Sequence, residues 1–499
     1  MLVYYIFNHL TTCPLKFAGY GLLTLIGIYF AKWIIFRINY KNFPNGPLGL
    51  PIFGYLPYLL SKPHNIFKEL NKKYGCLYSL YLGRKRVIVA SDLASVKEVL
   101  ENPEFLGRPD MSPMQCIKRK TISIVNGREW REQKNFISYL LRDIGLGKCF
   151  MEAHVNDEIM DFIQILDKEE GKACDVDNLL LSSTCNVITA LVFGRRLPHN
   201  DPKRKTLDNS LKNIYSIFGR TAALSFTPWL TKIFIRFGLF NFQKAKDATL
   251  EIHKLIKAEI EEHKKFLDPH KRKDFINGFL LEMEKENAES SFTEEMLLGN
   301  IQTLYKVGTE TIRIAIAWSL LTMAHYQEVQ KKVQKEIDSV IGKDSFPSWT
   351  NHWKTPYTVS VMMEIQRWKT TVPFNLLRYA LKDTTLQGYQ IPEGTNILID
   401  LWSVHNDDAH WKNPNKFFPE RFLNKETDYV KNEDAFMPFS IGKRSCPAKS
   451  LAKVELYLYF TYILQRYKVS FPEGFSHDLD GITGLFYRPK PYKLCFTRR

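Results

Sequence analysis

The sequence predicts a mainly helical protein with a minor β portion, organised as a single large domain behind an N-terminal transmembrane helix. Amphipathic patterns of helical period extend over five long stretches, at 128–143, 246–267, 293–325, 327–341 and 447–467. Only two short segments, near 76–91 and 384–400, have the patterning of β-strands. Neither an internal repeat nor an obvious linker divides residues 45–499. These observations favour one α-rich domain over a chain of smaller ones.

The membrane helix is predicted from the run FAGYGLLTLIGIYFAKWIIF at 17–36, within an anchor that occupies residues 1–40. About 20 apolar residues suffice to cross a bilayer as a helix. The single charge, Lys32, lies near one end, where its side chain can reach the interface. The apolar start MLVYYIF and the lack of a small-residue cleavage site favour a retained anchor over a cleaved signal peptide. More basic residues follow the run than precede it, which predicts that the rest of the chain lies in the cytosol.

Residues 41–60 are predicted to form a stiff connector between the anchor and the domain at 61–499. The stretch NFPNGPLGLPIFGYLPY contains prolines at 44, 47, 51 and 57. Proline fixes φ and has no backbone N–H to donate, so this stretch is not helical and would hold the domain at a set angle to the membrane. An ordinary surface loop is the alternative interpretation.

Charge and cysteine usage exclude several classes of protein. The chain has 69 Lys and Arg against 53 Asp and Glu, a net charge of +16, which suits an acidic protein or anionic lipid as partner. No nucleic-acid-binding module is present, so no nucleic-acid partner is expected. The eight cysteines form no C-x-x-C or zinc pattern, which favours a reducing, cytosol-facing environment. No G-x-G-x-x-G follows a strand, which excludes a Rossmann-type cofactor site.

Two Glu–Arg motifs in the second half of the chain predict an ionic network. In EIQR, Glu364 and Arg367 are spaced i, i+3 and share one helix face. Alone, such a pair is typical of a surface salt bridge that contributes little to stability. The segment FFPERF places Arg421 between aromatic residues. We expect Arg421 to complete a Glu364–Arg367–Arg421 network beneath a cofactor-binding loop.

The segment YKVGTETI places Gly308, Glu310 and Thr311 midway through a long apolar helix. Glycine destabilises a helix interior by roughly 1 kcal/mol, and a threonine hydroxyl can donate to a carbonyl one turn earlier. Together these residues predict a local kink and a polar, water-holding notch beside a reaction centre. A tolerated helix irregularity is the alternative.

The stretch FSIGKRSCPAKS places one cysteine, Cys446, before an apolar helix, and it fits an F-x-x-G-x-R-x-C pattern. Cations and a helix N-terminus lower the pKa of a thiol, and Pro447 suits the first helical position. Gly442 permits a tight turn, Arg444 can pair with an acidic cofactor edge, and Phe439 can shield the sulfur. Zinc or an iron–sulfur cluster would lack its remaining ligands here. A macrocycle with four ligands of its own needs one more, which indicates haem.

Together these motifs resemble those of the cytochrome P450 superfamily, over essentially the whole chain, and most nearly its animal microsomal type in the broad family-2 group. FSIGKRSC is similar to the haem-binding loop, EIQR to the Glu-x-x-Arg of helix K, and FFPERF to the aromatic–Pro–Glu–Arg–Phe segment. VGTET is similar to the oxygen-activating motif of helix I, and WREQK to the Trp-x-x-x-Arg of helix C. The resemblance implies the cytochrome P450 fold, with residues 61–499 as a haem-thiolate monooxygenase domain.

The resemblance also implies roles for the matching residues. Cys446 would be the axial thiolate ligand, and so the metal ligand, of haem b (iron protoporphyrin IX). Thr311 and Glu310 would organise water and deliver protons at the oxygen site, where Gly308 leaves room. The residues implied to bind the cofactor are Cys446, Arg444, Phe439, Gly442, Trp130, Lys134 and Arg378. The residues implied to stabilise the fold without taking part in chemistry are Glu364, Arg367 and Arg421.

Four residues depart from the family pattern. Ala448 replaces the commoner glycine two residues after the cysteine, and Val307 replaces the usual alanine before Gly308. The β-branch of Val307 is expected to narrow the oxygen site. Lys134 stands where many relatives carry arginine, which keeps the charge but loses the bidentate fork. Lys306 is unusual in a helix expected to be buried, and it points either away from haem or towards an acidic substrate group.

The resemblance implies that the chain inserts one oxygen atom of O2 into a lipophilic substrate at the endoplasmic reticulum membrane, with its catalytic domain facing the cytosol. It carries no flavin or nicotinamide module, so we expect electrons to come from a separate protein. The resemblance implies that this protein is NADPH-cytochrome P450 reductase, with cytochrome b5 as a second partner. The basic residues expected to suit the acidic face of the reductase are Arg131, Lys134, Lys443 and Lys449. The aromatic segment at 225–242 is expected either to dip into the membrane over an access channel or to pack as core. The loop at 105–125 is expected to line the pocket.

Three alternative functions stay open at this point. An O2-independent isomerase or dehydratase of oxygenated lipids would keep haem, but the presence of both Glu310 and Thr311 argues against it. A non-catalytic haem-binding protein would have no need of that acid–threonine pair. A cysteine-nucleophile enzyme without haem would need a histidine paired with Cys446, and the sequence offers no convincing candidate.

Overall fold

The structure is a computed structural model that describes residues 14–39, 42–50, 52–109, 120–145, 149–221, 223–269, 272–424, 430–431 and 433–499. The apolar start MLVYYIF, Lys41 and the middle of the loop at 105–125 lie outside the described residues. What was inferred for them stays a prediction.

Helices form most of the described chain. The α-helices are α1 Pro14–Asn39, α2 Pro63–Tyr74, α3 Leu93–Glu101, α4 Gly127–Gly145, α5 Cys149–Lys168, α6 Val176–Phe193, α7 Pro202–Thr221, α8 Pro228–Arg236, α9 Phe242–Lys265, α10 Phe275–Met283, α11 Glu294–Thr303, α12 Thr309–His325, α13 Gln327–Val340, α14 Pro356–Trp368, α15 Leu401–His405 and α16 Lys449–Arg466. Short 3-10 helices lie at Leu56–Leu59, Pro103–Phe105, Ala223–Phe226, Leu239–Asn241, Trp349–Lys354 and Pro419–Phe422.

The strands are few and short. They are β1 Leu77–Leu82, β2 Lys85–Ala90, β3 Arg378–Tyr379, β4 Thr384–Leu386, β5 Tyr389–Ile391, β6 Asn396–Ile399, β7 Tyr467–Ser470, β8 Gly481–Thr483, β9 Tyr487–Pro489 and β10 Cys495–Arg498. One sheet has the order β1-β2-β6-β3, in which β2 and β6 run parallel with Val87 opposite Asn396. The pairs β4–β5, β7–β10 and β8–β9 form separate two-stranded sheets.

Two helices occupy the centre of the domain because their sequences are apolar on nearly every side. On α12, almost every residue from Ile312 to Ala324 is buried, and α16 is buried from Val454 to Gln465. A helix without a polar face is stable only when other elements surround it. α12 packs against α6 and α16, and α16 also contacts α5 and α13. This arrangement positions the cavity described below.

The N-terminal helix α1 lies where the anchor is predicted. Its middle presents apolar side chains to the surroundings, among them Leu22, Leu23 and Leu25. The Tyr29 hydroxyl donates to the Leu48 carbonyl at 2.9 Å, which ties α1 to the connector. Among the described residues, the helix that passes a length and hydropathy test for crossing a membrane is α6, and 78% of it is buried inside the domain, as in a core helix. Membrane insertion of residues 1–40 stays a prediction.

The predicted fold class, mainly α with a minor β portion, is confirmed, since 57% of the structure is helical and 11% is strand. The segment at 76–91 forms the β1–β2 hairpin. The segment at 384–400 forms the β4–β5 hairpin and then β6, which joins the larger sheet. The helical pattern at 293–325 is divided between α11 and α12 by a π turn at Leu304–Gly308.

Candidate active site

A cavity of about 330 Å³ lies inside the domain, bordered by α12 and α16. Apolar side chains form most of its wall, including Ile188, Ile312 and Leu451. The predicted site residues that line it are Gly308, Thr311, Trp130, Lys134, Phe439, Arg444 and Cys446. The predicted catalytic and cofactor-binding residues outside its lining are Glu310, Gly442 and Arg378, and the three predicted network residues also lie outside it. No histidine lines it among the described residues, so Cys446 has no imidazole base there.

The Cys446 loop is a tight turn held by its own backbone. The Cys446 N–H donates to the Phe439 carbonyl at 3.0 Å, and the Ser445 N–H donates to the Gly442 carbonyl at 3.1 Å. Gly442 has a φ of +72°, and a Cβ at this position would lie 2.0 Å from the Leu100 carbonyl oxygen. Only glycine meets both constraints. Gly442 therefore shapes the loop, while Cys446 and Phe439 contribute to the cavity wall.

The Cys446 side chain is accessible because it lines the interior cavity, and protein surrounds it on its other sides. Burial raises the pKa of this thiol, while the Ala448 backbone N–H and the Lys449 ammonium lower it by less. The expectation that cations and the helix N-terminus lower this pKa is corrected, because burial outweighs both. On its own the chain keeps Cys446 as a thiol at neutral pH, and coordination to a metal would remove the proton.

The helix that follows the loop begins later than predicted. Pro447 was expected at the first helical position, but α16 begins at Lys449, with Ala448 as an N-cap residue that makes no side-chain cap. Cys446 therefore lies three residues before the helix. Ala448 lines the cavity and packs against the main hydrophobic core, so its methyl group is accommodated without displacing the loop.

Four cationic side chains converge beside the cavity: Arg108, Lys134, Arg378 and Arg444. Burial lowers the pKa of all four, to about 9 for Arg378 and about 10 for Arg444. Repulsion by Arg444 lowers it further for the other three. None of the four has an ion-pair partner among the described residues. Such a cluster is destabilising unless an anion joins it.

The guanidinium group of Arg378 shows most directly that the cluster lacks an anionic partner. Arg378 is fully buried, and none of its three guanidinium nitrogens has a hydrogen-bond partner among the described residues. In Arg108, Nη1 donates to the Leu377 carbonyl at 2.7 Å, but Nε has no hydrogen-bond partner among the described residues. These nitrogens are donors that a carboxylate would satisfy.

Contacts with α4 and with the segment just before it hold Arg444 beside the Cys446 loop. Its Nη2 donates to the Val125 carbonyl at 2.8 Å, and its guanidinium carbon lies 3.9 Å from the centroid of the Trp130 ring. One turn after Trp130, Lys134 donates to the Lys443 carbonyl. These contacts fix α4 against the loop, so the aromatic ring and the two cations have defined positions.

The residues present fit haem. Its two propionates would supply the anions that the buried guanidinium groups lack, and its apolar faces suit the cavity wall. The macrocycle provides four nitrogen ligands, so Cys446 would be sufficient as the protein ligand. Among the described residues no group of three or more His, Cys, Asp or Glu side chains could hold a metal ion without such a macrocycle.

Another part of the cavity wall is the π turn at Leu304–Gly308, which widens the helix between α11 and α12. Such a turn interrupts the regular ladder of backbone hydrogen bonds, and side chains bind its carbonyls here. The Tyr215 hydroxyl donates to the Tyr305 and Lys306 carbonyls at 3.2 and 3.0 Å. The Thr311 hydroxyl donates to the Val307 carbonyl at 2.9 Å. Thr311 therefore reaches the cavity wall with its hydroxyl bonded to the widened turn.

Glu310 is held in a buried ion pair outside the lining. Its two carboxylate oxygens accept hydrogen bonds from Nε and Nη2 of Arg313 at 2.8 and 2.7 Å. Arg313 also pairs with Asp177 at the start of α6. Burial lowers the pKa of Arg313, but Glu310 and Asp177 together outweigh it and raise the pKa. Glu310 does not line the cavity, so the structure gives no support to the direct proton delivery inferred for it. Thr311 does line the cavity, which is consistent with the role inferred for it.

The residues around Gly308 have distinct environments. A Cβ on Gly308 would lie 2.9 Å from Cδ1 of Ile188, so glycine here allows α6 to approach the π turn closely. The Val307 side chain, 45% exposed, lines the cavity and takes up space there, as its β-branch predicts. Lys306 is not among the lining residues, so the cavity wall gives no support to contact with an acidic substrate group.

The structure brings the three predicted network residues together. Glu364 and Arg367 are fully buried, with Arg367 Nε and Nη2 donating to the Glu364 carboxylate at 2.7 and 2.9 Å. Arg421 Nε lies 3.0 Å from Glu364 Oε2. Two further hydrogen bonds support the network: Arg367 Nη2 donates to the Pro414 carbonyl at 2.8 Å, and the Phe418 N–H donates to Glu364 at 3.0 Å.

His405, which sequence reasoning missed, connects this network to the cysteine loop. Its backbone carbonyl accepts from Arg367 Nη1 at 2.7 Å, and its ring Nδ1 lies 2.9 Å from the Thr370 hydroxyl. Its Nε2 accepts from the Met437 N–H at 3.1 Å, just before the loop. Burial, with repulsion by Arg367, lowers the pKa of His405 to about 3, so the ring is neutral.

Arg108 and Glu455 also line the cavity without having been predicted. Arg108 lies in FLGRPD, far from Cys446 along the chain, and a lone arginine in a loop gives no sequence signal. Glu455 follows the helical pattern of α16, where a single acid usually indicates a solvated face. Only the three-dimensional packing reveals their positions.

Several curated proteins are similar to this chain over most of their length, and the sequence matches the Cytochrome P450 family over residues 44–496. Cytochrome P450 2J1 of Oryctolagus cuniculus is 34% identical, over 95% of this chain and 95% of that protein. Cytochrome P450 2J2 of Homo sapiens is also 34% identical, with 95% of each chain covered. Cytochrome P450 2D3 of Rattus norvegicus is 36% identical, over 92% of this chain and 93% of its own.

Proposed function

The chain belongs to the cytochrome P450 family, and from this premise we propose that it is a microsomal haem-thiolate monooxygenase that uses NADPH to oxidise lipophilic compounds. Family membership supports a monooxygenase that uses O2, an organic substrate and a redox partner. Haem b, the reductase, the cytosolic orientation and the substrate class belong to the proposal. The observation that carries it is that Cys446 and Thr311 line one apolar cavity beside the cluster of buried cations.

Each site residue has a task in this proposal. Bound haem supplies the activation of O2 and the insertion of one oxygen atom into the substrate. Cys446 would hold the iron through its sulfur, and the electron density of a thiolate would support that chemistry. The side chains that hold the propionates are Arg108, Lys134, Arg378 and Arg444, with Trp130 fixing the last of these. Phe439 shields the sulfur, and Gly442 gives the loop its shape.

Thr311 serves as the proton-handling hydroxyl of the cavity wall. Its hydroxyl donates to the Val307 carbonyl, so its oxygen is positioned to accept a proton and pass it on. Glu310 acts indirectly, because its ion pair with Arg313 fixes the start of α12. Glu364, Arg367 and Arg421 hold the segment that carries the cysteine loop. Rearrangement of a lipid without O2, or haem binding alone, would have no use for the Thr311 hydroxyl, so both alternatives are disfavoured.

The proposed electron donor is NADPH-cytochrome P450 reductase, with cytochrome b5 as a second donor. Arg131, Lys443 and Lys449 are exposed on α4, on the cysteine loop and at the start of α16. A cationic surface beside the thiolate ligand favours an acidic partner and speeds its association. Lys134 is less available to a partner because it donates inward to the Lys443 carbonyl.

The proposed membrane contact combines α1 with the aromatic segment at 225–242. In that segment Trp229, Phe237 and Phe240 are exposed, which favours membrane contact over packing as core. The Trp229 ring lies 6.1 Å from that of Phe53, so the connector continues the same apolar surface. A monomeric soluble protein rarely exposes so many aromatic side chains together. This surface, with the apolar cavity, supports lipophilic substrates that enter from the bilayer.

The test of this proposal is the difference spectrum of the reduced protein with carbon monoxide. We expect a Soret band at about 450 nm, because the thiolate ligand sets this absorbance. Cys446→Ser should abolish the band, whereas Cys76→Ser, which changes an exposed thiol outside the cavity lining, should leave it unchanged. A folded wild-type protein without this band would contradict the assignment of Cys446. Added reductase should then support NADPH-dependent oxidation of compounds from a lipophilic metabolite screen.

A further inference from the structure

A carboxyl group with no task in the proposed function lies in the wall of the same cavity. Glu455 is on α16, is 2% exposed, and is one of the lining residues. Most cavity residues on α16 and α12 are apolar, namely Leu451, Ala452, Leu456, Ile312 and Ala315, and α12 also contributes the Thr311 hydroxyl. An acidic side chain at such a position is costly unless it is neutral or paired.

Glu455 is not paired among the described residues. Its Oε1 is fully buried and has no hydrogen-bond partner there. Burial alone raises the pKa of Glu455 to about 8, with no charge or hydrogen bond to offset it. The carboxyl group is therefore mostly neutral at pH 7 and carries a proton.

The other titratable groups on α16 and on the elements packed against it do not pair with Glu455. Lys449 is exposed at the start of α16, and burial lowers the pKa of Lys453. The Tyr462 hydroxyl on α16 has no partner among the described residues. Other groups have partners of their own: Glu310 with Arg313, Glu158 with Arg204, Glu336 with Thr358, Tyr457 with Thr355, and Tyr459 with Ser183. None of them supplies Glu455 with a counter-charge.

Glu310 and Glu455 therefore have opposite environments, because Glu310 is held in an ion pair and Glu455 has no counter-charge among the described residues. Both oxygens of Glu310 accept hydrogen bonds from Arg313, so that side chain is held in its ion pair. Glu455 has a proton and is among the residues that line the cavity with Thr311. When two carboxyl groups near a reaction centre have such different environments, the neutral one is the candidate acid.

We propose that Glu455 is the acid that supplies a proton to the cavity during turnover, at the site that Thr311 borders. This inference rests on the proposed function. In the reaction RH + O2 + NADPH + H⁺ → ROH + H2O + NADP⁺, two electrons from NADPH and two protons reduce one oxygen atom to water. One of those protons leaves Glu455 as its O–H bond breaks and becomes part of that water. The resulting carboxylate recovers a proton from solvent before the next cycle.

The first test is independent of turnover. Infrared difference spectra of the resting haem-loaded protein at pH 7, in H2O and D2O, should show a neutral carboxyl C=O band that is missing in Glu455→Gln. Asp400 is the matched control, because burial raises its pKa to about 7 but it does not line the cavity. Asp400→Asn should leave the Glu455 band in place. If Glu455→Gln fails to fold, the pH titration of the band in Asp400→Asn still decides the protonation state.

The second test measures product and peroxide formed per NADPH, with reductase and a compound that the wild-type protein oxidises. We expect Glu455→Gln to keep its haem, to lose at least about tenfold in product per NADPH and to release more peroxide. With an organic hydroperoxide, which brings its own oxygen atom and bypasses proton delivery, product formation should stay within about twofold of wild type. Asp400→Asn should match wild type in both assays.

Each outcome decides the proposal. An absent band at pH 7 in wild type overturns it, as does a band that is lost in Glu455→Gln without change in NADPH coupling. If Glu455→Gln loses product formation equally in the NADPH and hydroperoxide assays, Glu455 has a structural role only, and the proposal is overturned as well. If the wild-type protein oxidises nothing, the proposed function fails and the role of Glu455 in turnover fails with it, while the infrared band still reports whether this carboxyl is protonated.

Discussion

Arg378 is fully buried, and its guanidinium nitrogens lack partners among the described residues. In haem-free protein, Arg378→Met removes an unpaired buried charge, so we expect the free energy of unfolding to rise by about 1–3 kcal/mol. In haem-loaded protein the same change removes a propionate partner, and we expect haem loss to be at least about tenfold faster. Denaturant unfolding of the first form and haem transfer to an acceptor globin from the second measure the two effects.

Lys468→Met is the matched control, because Lys468 is exposed on β7 and away from the cavity. We expect it to change stability by no more than about 0.5 kcal/mol in either form. The role assigned to Arg378 would be contradicted if Arg378→Met destabilised the haem-free protein. It would also be contradicted if the variant retained haem as well as wild type does.

For single residues, the sequence predicts a role well when the cause of that role lies in residues nearby along the chain. Gly442 has a positive φ, which follows from the turn that its own motif forms, whereas its close approach to the Leu100 carbonyl depends on packing against a distant helix. Arg108, His405 and Glu455 were missed because their roles arise from neighbours far along the chain. The raised pKa of the Cys446 thiol was missed for the same reason, since burial depends on the whole domain.

Among the elements, the π turn before α12 gives a direct prediction. Thr311→Ala removes both the hydroxyl at the cavity wall and its hydrogen bond to the Val307 carbonyl. We expect haem to be retained while product per NADPH falls by roughly an order of magnitude and peroxide appears instead. Thr311→Ser keeps the hydroxyl and should retain most of the coupling. Unchanged coupling in Thr311→Ala, measured with reductase and an oxidised substrate, would reject the proton-handling role.

The same turn shows what periodicity can and cannot predict for an element. The apolar pattern at 293–325 predicts a buried helix, and Gly308 with Thr311 predicts a local irregularity within it. That the irregularity is a π turn depends on Tyr215, whose hydroxyl comes from α7 to bind two of its carbonyls. Strands β7 to β10 have only three or four residues each, which is too short for an alternating hydrophobic pattern to predict them. Their pairing with other strands in the fold defines them instead.

For the whole molecule, Glu455 predicts how stability depends on pH. Its pKa is raised from 4.5 to about 8 in the folded protein, so the folded state binds a proton more tightly than the unfolded chain. This contribution is fully present below pH 4.5 and is lost as pH rises to about 8. Relative to Glu455→Gln, the wild-type protein should lose up to about 1.4 kcal/mol per pH unit within that window.

Denaturant midpoints of the two proteins, measured in parallel from pH 5 to pH 9, check this difference. Other titrating groups are common to both chains and cancel. We expect the glutamine variant to become progressively the more stable of the two as pH rises, and the gap to level off above about pH 8. A gap that does not change with pH would mean that Glu455 is ionised in the folded protein.

The buried cations beside the cavity also have a consequence for the protein in the cell. Until their anionic partner arrives, Arg108, Arg378 and Arg444 repel one another in a low-dielectric interior, so a chain made during haem shortage would be poorly stable. A ligand that binds only the folded state stabilises it by mass action, and poorly stable chains are removed by chaperones and proteases. The amount of this protein would therefore follow the haem supply of the cell, without any change in its rate of synthesis.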